Sequence, residues 1–385
     1  MNRRIFLLAL GTFATGTNTF VIVGILPDIA RELNAPISLV GLSAGATAIA
    51  YAISAPLLPA FLSKYSHRTI LIISMVAFIA ILAATTLVRD PYSFLAMRAL
   101  VGLAAAGFTP QASAVAFSLA APEQRGRAIS AVLLGLVLAS AVSAPIGTLI
   151  GDLWGYRASL WFVALLGLVA LVGLAWVPKQ EARATTSTVR QRLRPLSNPE
   201  VLAIAGTTAL LSAGNSTVYV FFAPLLTATA GLDSREFAVT LAVYGASGLI
   251  AIAVVGRLVD RVGGFIVTLA AVLGMIVTSL VLPLAPEVFA VAVVVLVWGV
   301  FGSLYGAAQQ YELGLLQTDD PAPVFAINTS SLFVGTAVGT VLGSLVLQWG
   351  TPALLPVVAC VPLALAMVAT VVQIARRRRG RTSAL

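Results

Sequence analysis

The sequence predicts an all-α polytopic membrane protein, with twelve transmembrane helices arranged as two pseudo-symmetric halves of six. Three observations carry this. Of the 385 residues, 59% are hydrophobic and 10% charged, against about 25% charged in ordinary soluble domains, and the mean hydropathy is +1.01. Apolar runs long enough to cross a hydrocarbon core of about 30 Å, which takes roughly 20 helical residues, follow one another with short polar breaks. Landmarks of the first half also recur in the second at a nearly constant offset.

The runs place spans 1 to 12 at 5–26, 38–60, 69–88, 92–118, 128–150, 157–177, 200–226, 236–256, 265–283, 287–311, 324–347 and 353–375. The first follows Asn2-Arg3-Arg4 but is too long for a signal peptide and has no small-residue cleavage site behind it, so it reads as a retained span. Alternate breaks differ in charge: one side holds 18 Lys and Arg, the other only Arg31, Arg89, Arg157 and Arg235. The positive-inside bias then puts both termini in the cytoplasm of a cell with this chain in its inner membrane.

The longest polar break, Lys179 to Glu200, divides the chain into an N-terminal bundle (1–178), a cytoplasmic linker (179–199), a C-terminal bundle (200–375) and a basic tail (376–385). The run Arg376 to Arg379 reads as an anchor to anionic lipid. Pro27 and Pro224, read as closing the first span of each half, lie 197 positions apart; Ala60 to Arg68 aligns with Gly256 to Gly264 at a shift of 196, and Trp154-Gly155 with Trp349-Gly350 at 195. A parallel repeat after an even number of spans is the arrangement of a transporter with its site between two halves.

Several function classes fall away. The net charge of +9 sits at span ends, where lipid and the positive-inside bias account for it, so no nucleic-acid partner is expected. Cys360 is alone and reads as a small packing residue; one histidine, His67, and no thiol cluster leave no metal site. There is no phosphate-binding GxxxxGK[ST] loop. No His, Cys or carboxylate cluster within the spans supplies catalytic groups, so neither an enzyme nor a cofactor is expected. Asn215-Ser216-Thr217 and Asn328-Thr329-Ser330 match glycosylation sequons by letters only, inside spans.

Four motifs carry more. Gly256-Arg257-Leu258-Val259-Asp260-Arg261-Val262-Gly263-Gly264 joins spans 8 and 9, with glycines for a tight turn and Asp260 available to cap a helix start or pair with Arg257 or Arg261. Its first-half copy, Ala60 to Arg68, has Lys64 for the aspartate and His67 for the second glycine; His67 reads as a solvated loop residue. Span 4 carries Arg98 and Gly102, one turn apart, and an arginine that deep in an apolar run costs several kcal/mol unless paired or wetted. Span 5 carries Gly135, Ala141, Ala144, Pro145 and Gly147, small residues that let helices touch and a proline that bends one.

Together with Gly155-Tyr156-Arg157 and the Asn328, Gly335, Gly339, Gly343 series of span 11, these segments resemble the major facilitator superfamily over almost the whole chain. Within it the sequence is similar to the twelve-span drug:proton antiporter branch that includes arabinose-efflux-like and chloramphenicol-exporter-like proteins. The resemblance implies alternating access by a monomer, with Arg68, Ala144, Pro145, Gly147, Gly256, Asp260, Arg261 and Gly263 in gating. The branch often has a carboxylate in a G-T-x-E-F segment of span 1; here the segment is Gly16-Thr17-Asn18-Thr19-Phe20. Asp28 and Glu312 lie near span ends and read as solvated.

In that family spans 1, 4, 7 and 10 line the central path. In span 10, Trp298, Gly302, Tyr305, Gln309 and Glu312 form one helical stripe; span 7 offers Ser212, Asn215, Tyr219 and Phe222, and span 1 Thr12, Thr15 and Thr19. The expected cavity residues are Thr15, Asn18, Thr19, Arg98, Asn215, Tyr219, Phe222, Trp298, Tyr305 and Gln309. Such a wall suits a small amphiphilic molecule, neutral or weakly anionic. The expectation is export of a small organic, drug-like or sugar-like compound with the proton as coupling ion. The alternatives are a uniporter or importer of a small polar metabolite and, more remotely, a transport-dead sensor.

Overall fold

The structure is a computed structural model that describes residues 3–62, 65–121, 124–177, 189–316 and 322–382. Lys64, most of the linker break, Met1 and Leu385 lie outside the described residues. Among the described residues there are helices and no strand, and twelve helical segments are long and apolar enough to cross a membrane.

Spans 1, 2 and 3 are the helices Arg3–Glu32, Ile37–Phe61 and His67–Thr85. Span 1 does not end at Pro27, contrary to the sequence reading; the helix continues to Glu32. A proline removes one backbone donor, but neighbouring helices hold a membrane helix together across it. Pro224 likewise closes nothing: span 7 is Pro199–Tyr219 and, after a break at Val220-Phe221, Phe222–Ala230. Span 4 is similarly broken, Pro91–Ala106 then Thr109–Leu119. Asp90 caps its start by accepting from Ser93 N–H at 2.8 Å, and that bond holds the Asp90 carboxyl below the usual carboxylate range. Span 5 is Arg125–Leu138, one widened π-turn Ala139–Ser143, and Ala144–Trp154. Spans 6, 8, 9, 10 and 11 are Tyr156–Leu174, Ser234–Val262, Gly264–Val281, Val288–Gly314 and Ala322–Trp349. Span 12 is Leu355–Thr382, so the same helix runs on into the basic tail.

Packing repeats the sequence symmetry. Span 1 lies on spans 5 and 6, span 2 on span 4, and span 3 on span 6; in the second half span 7 lies on 11 and 12, span 8 on 10, and span 9 on 12. Glycine makes the tightest of these contacts: at Gly335 and Gly339 a Cβ would collide with the carbonyl oxygens of Ala209 and Ala213 on span 7. The halves meet through an equivalent exchange, span 2 against span 11 and span 5 against span 8. Tyr51 stacks on Phe333 at 4.0 Å between ring centroids, and Gly245 packs on Ala141 of the π-turn. At the end of the bundle away from the termini, Ser344 donates to the Ser38 carbonyl at 2.9 Å and Ser234 to Asp152 at 2.8 Å. Arg157 ties the same end of the first half together, through Glu32 and the carbonyl of Thr86.

The loop between spans 8 and 9 differs from its sequence reading. Gly256 and Asp260 are inside the span-8 helix, so Asp260 cannot cap the start of span 9. The turn is made by Gly263 alone, at φ +86°, a left-handed conformation that favours glycine. The acid at the start of span 9 is Glu312, which accepts from Phe265 N–H at 3.2 Å and pairs with Arg377. Glu312 is 3% exposed and not solvated as its place near a helix end suggests. His67 is also less wet than expected, with Nδ1 2.6 Å from the Gln111 side-chain oxygen.

Candidate substrate site

The first half supplies a buried cation. Arg98 sits mid-way along the Pro91–Ala106 helix and is 1% exposed. Its Nη1 donates to Asn18 Oδ1 at 2.5 Å and Nη2 to the Asn18 carbonyl at 3.4 Å. Gly102, one turn on, has no side chain to hold off span 2, and the Thr47 backbone comes against it. That approach lets the Thr47 hydroxyl donate to the Arg98 carbonyl at 3.0 Å. The arginine–glycine spacing thus positions one guanidinium against span 1. Arg98 Nε and Asn18 Nδ2 are buried without an acceptor.

The second half supplies an aromatic cluster. Tyr219 stacks on Tyr244 at 4.6 Å, Tyr244 lies 5.3 Å from Trp298, and Trp298 lies 5.6 Å from Phe222. Phe222 meets Phe237 at 5.9 Å. Phe20 of span 1 reaches Tyr219 edge-on at 6.3 Å, which joins the halves. Polar atoms with no partner accompany the rings, Asn215 Oδ1 and Trp298 Nε1, and both amide atoms of Gln309 are unpartnered about three turns further along span 10. The Asn215 side chain borders the Tyr244 hydroxyl, and Ser212 the Tyr305 hydroxyl. Buried orphan polar atoms of this kind call for a ligand or water.

A cavity of about 270 Å³ lies between the halves, bordered by Phe20, Val137, Ser140, Tyr244, Gly302 and Tyr305 among others. Of the expected cavity residues only Tyr305 lines it directly. Asn215, Tyr219, Phe222 and Trp298 form the layer around Tyr244, and Gln309 is fully buried one turn beyond Tyr305. Thr15 turns its hydroxyl to the carbonyls of Gly11 and Thr12, while Thr19 is exposed with its hydroxyl 3.5 Å from the Thr15 carbonyl. The residues assigned to gating lie elsewhere. Ala144, Pro145 and Gly147 are buried, with Gly147 against Val21 of span 1. Arg68 donates to the Ala175 carbonyl at 3.0 Å, within its own half. Arg261 and Gly263 stand at the end of span 8, with Gly256 and Asp260.

Sequence reasoning passed over Phe20, Tyr244, Phe237 and Thr47. A tyrosine in the middle of span 8 was a usable signal, since a phenol deep in an apolar run needs a polar partner. The acidic residue Glu312 belongs with Arg377, beside two further cavities of about 260 and 530 Å³ at the end of the bundle that carries the termini.

Comparison with known proteins adds to this geometry. The sequence profile of the Major Facilitator Superfamily matches residues 8–319. A chloramphenicol resistance protein of Streptomyces lividans is 30% identical over 344 residues, 88% of each chain. The inner membrane transport protein YdhP of Escherichia coli K12 is 27% identical over 359 residues, 91% of this chain and 90% of that one. Among solved structures, the nucleoside transporter NupG superposes with a TM-score of 0.76 at 12% identity, covering 97% and 99% of the two chains. A bacterial homologue of the human lysosomal transporter Spinster, inward-facing and occupied, gives 0.68 at 16% identity, covering 96% and 93%. At those identities the structural likeness speaks for the fold alone.

Proposed function

Since the chain belongs to the Major Facilitator Superfamily, and is therefore a multi-pass membrane transporter of a small substrate and not an enzyme, we propose that it exports a small, drug-like organic compound across the inner membrane by alternating access. The moving units in this reading are the bundles 1–178 and 200–375, joined by the 179–199 linker, in a monomer whose termini and basic tail (376–385) face the cytoplasm. The observation that carries it is the aromatic cluster with unpartnered hydrogen-bonding atoms beside a cavity between the halves. Rings and uncharged donors and acceptors bind compounds that are flat, partly apolar and polar at a few points. The outward direction is supported by the similarity to a chloramphenicol resistance protein. Purified protein in liposomes, loaded with labelled chloramphenicol and assayed with and without a proton gradient, tests the reading. Protein-dependent, gradient-stimulated efflux is the expected result, and flux equal to that of protein-free liposomes refutes it.

A second reading, a carrier without a proton cycle, is favoured by one observation. Among the described residues every Asp and Glu lies in a break or within about a turn of a helix end. A proton antiporter that binds its proton in mid-membrane needs a group there that loads and releases it near neutrality. Arg98 does not give up its proton in that range.

A further inference from the structure

Glycines within the spans fall into two kinds. Many mark places where side chains or helices press together: a Cβ at Gly245 of span 8 would collide with the Ala141 backbone, one at Gly299 of span 10 with the Ser247 hydroxyl, and one at Gly274 of span 9 with the Phe301 ring. That is the ordinary use of glycine in a membrane helix. Three others, on spans 8 and 10, serve no such approach. A Cβ at Gly306 would meet nothing within 4 Å, one at Gly248 would make ordinary contacts with Ser303 Oγ at 3.6 Å and Val137 at 3.7 Å, and one at Gly302 would meet Asn215 Oδ1 alone, at 3.2 Å. Glycine in a helix is less favourable than alanine, and its use is where another backbone or a ligand must come close. No other backbone comes close to these three.

All three border the cavity of about 270 Å³ between the halves. Gly302 and Gly306 stand one turn apart on span 10, and Gly248 of span 8 lies against Ser303 beside them. Phe20, Tyr244 and Tyr305 supply rings to the same cavity. Glycines with similar room elsewhere, Gly206 and Gly256, do not border it. The missing side chain at Gly302 has a further effect, because the Asn215 Oδ1 it would meet is buried and has no partner. A gap in the cavity wall thus stands in front of an acceptor that needs a donor. We propose that Gly248, Gly302 and Gly306 are the contact face for a flat aromatic substrate, which lies against the backbones of spans 8 and 10 and donates an N–H or O–H to Asn215 Oδ1. This rests on the export reading above and narrows its substrate class to flat, ring-bearing compounds with a donor at one edge. A side chain on any of the three glycines would hold such a ring away from the wall.

The test uses the full-length protein and two neutral fluorescent probes, acridone, which is flat and carries one N–H, and N-methylacridone, which lacks that donor. Wild type should bind acridone about tenfold tighter, the range for a buried acceptor that gains or lacks its one hydrogen bond. Asn215→Leu, of similar volume and without the acceptor, should remove the preference and bind N-methylacridone as wild type does. Gly306→Ala adds a methyl group where nothing stands within 4 Å, so it should keep or raise the thermal midpoint while weakening acridone binding about tenfold. Gly206→Ala, equally open but away from the cavity, should change the binding of neither probe. Should Asn215→Leu fail to fold, Gly306→Ala decides the matter by itself. Wild-type affinity for acridone in folded Gly306→Ala, equal affinity of wild type for the two probes, or a preference that survives Asn215→Leu overturns the proposal. If any of these results comes from protein that exports chloramphenicol in liposomes, the glycine face is refuted and the export reading stands. If folded wild type neither binds acridone nor moves chloramphenicol, both are refuted.

Discussion

The closure at the end of the bundle away from the termini can be weakened by removing two hydroxyls. Ser344 is 2% exposed and donates to the Ser38 carbonyl at 2.9 Å; Ser344→Ala removes a buried bond between the halves, which costs the closed state about 1 to 1.5 kcal/mol. The Ser234 to Asp152 bond is exposed, where water competes for both partners, so Ser234→Ala contributes about 0.5 kcal/mol. The sites are on different span pairs and their effects should add. Together they come to about 1.5 to 2 kcal/mol, a ten- to thirty-fold rise in the population open at that end. The reporter is Ser303→Cys, nearly isosteric and on the cavity wall, in a Cys360→Ala background. A membrane-impermeant thiol reagent added from the side away from the termini should label it ten- to thirty-fold faster in the double variant. An unchanged rate, or faster labelling only from the opposite side, would show that these bonds do not hold that end shut.

Three further outcomes are expected. A periplasm-active reporter fused after Arg194 should be silent and a cytoplasm-active one bright, because basic residues favour that side by 18 to 4; the reverse pattern would invert the orientation. Thr19→Glu should make transport more dependent on the proton gradient, since Thr19 is exposed within the spans and gives up only a long bond to its own helix. Identical pH profiles for that variant and wild type, in folded and active protein, would place coupling elsewhere. Trp298→Phe, which keeps a ring but loses the unpartnered indole N–H, should weaken substrate binding about three- to tenfold and lower the thermal midpoint through the space left in the buried cluster. Unchanged affinity would remove Trp298 from the site.

The twelve spans were readable because hydropathy is a property of each segment by itself: about twenty apolar residues must cross the bilayer whatever their neighbours do. Helical spacing alone puts Trp298, Tyr305 and Gln309 on one face, and all three are buried, but of the three Tyr305 alone lines the cavity between the halves. Helix ends were less legible. Pro27 looked like a stop and Asp260 like a cap, yet both lie inside helices, because neighbouring helices stabilise turns that local propensity disfavours.

What only the tertiary structure decided is which faces meet. Arg98 and Asn18 are eighty residues apart, and no local pattern pairs them. Tyr244 entered the site because span 8 turns that face to Trp298 and Tyr219. Glu312, two residues from its helix end, looked wet from the sequence; Phe265 N–H and Arg377 cover it. Spacing along a helix determines which side chains share a face. Only the packing of helices distant in sequence determines whether that face meets lipid, water or a counter-charge, and the chemistry of the site follows from that.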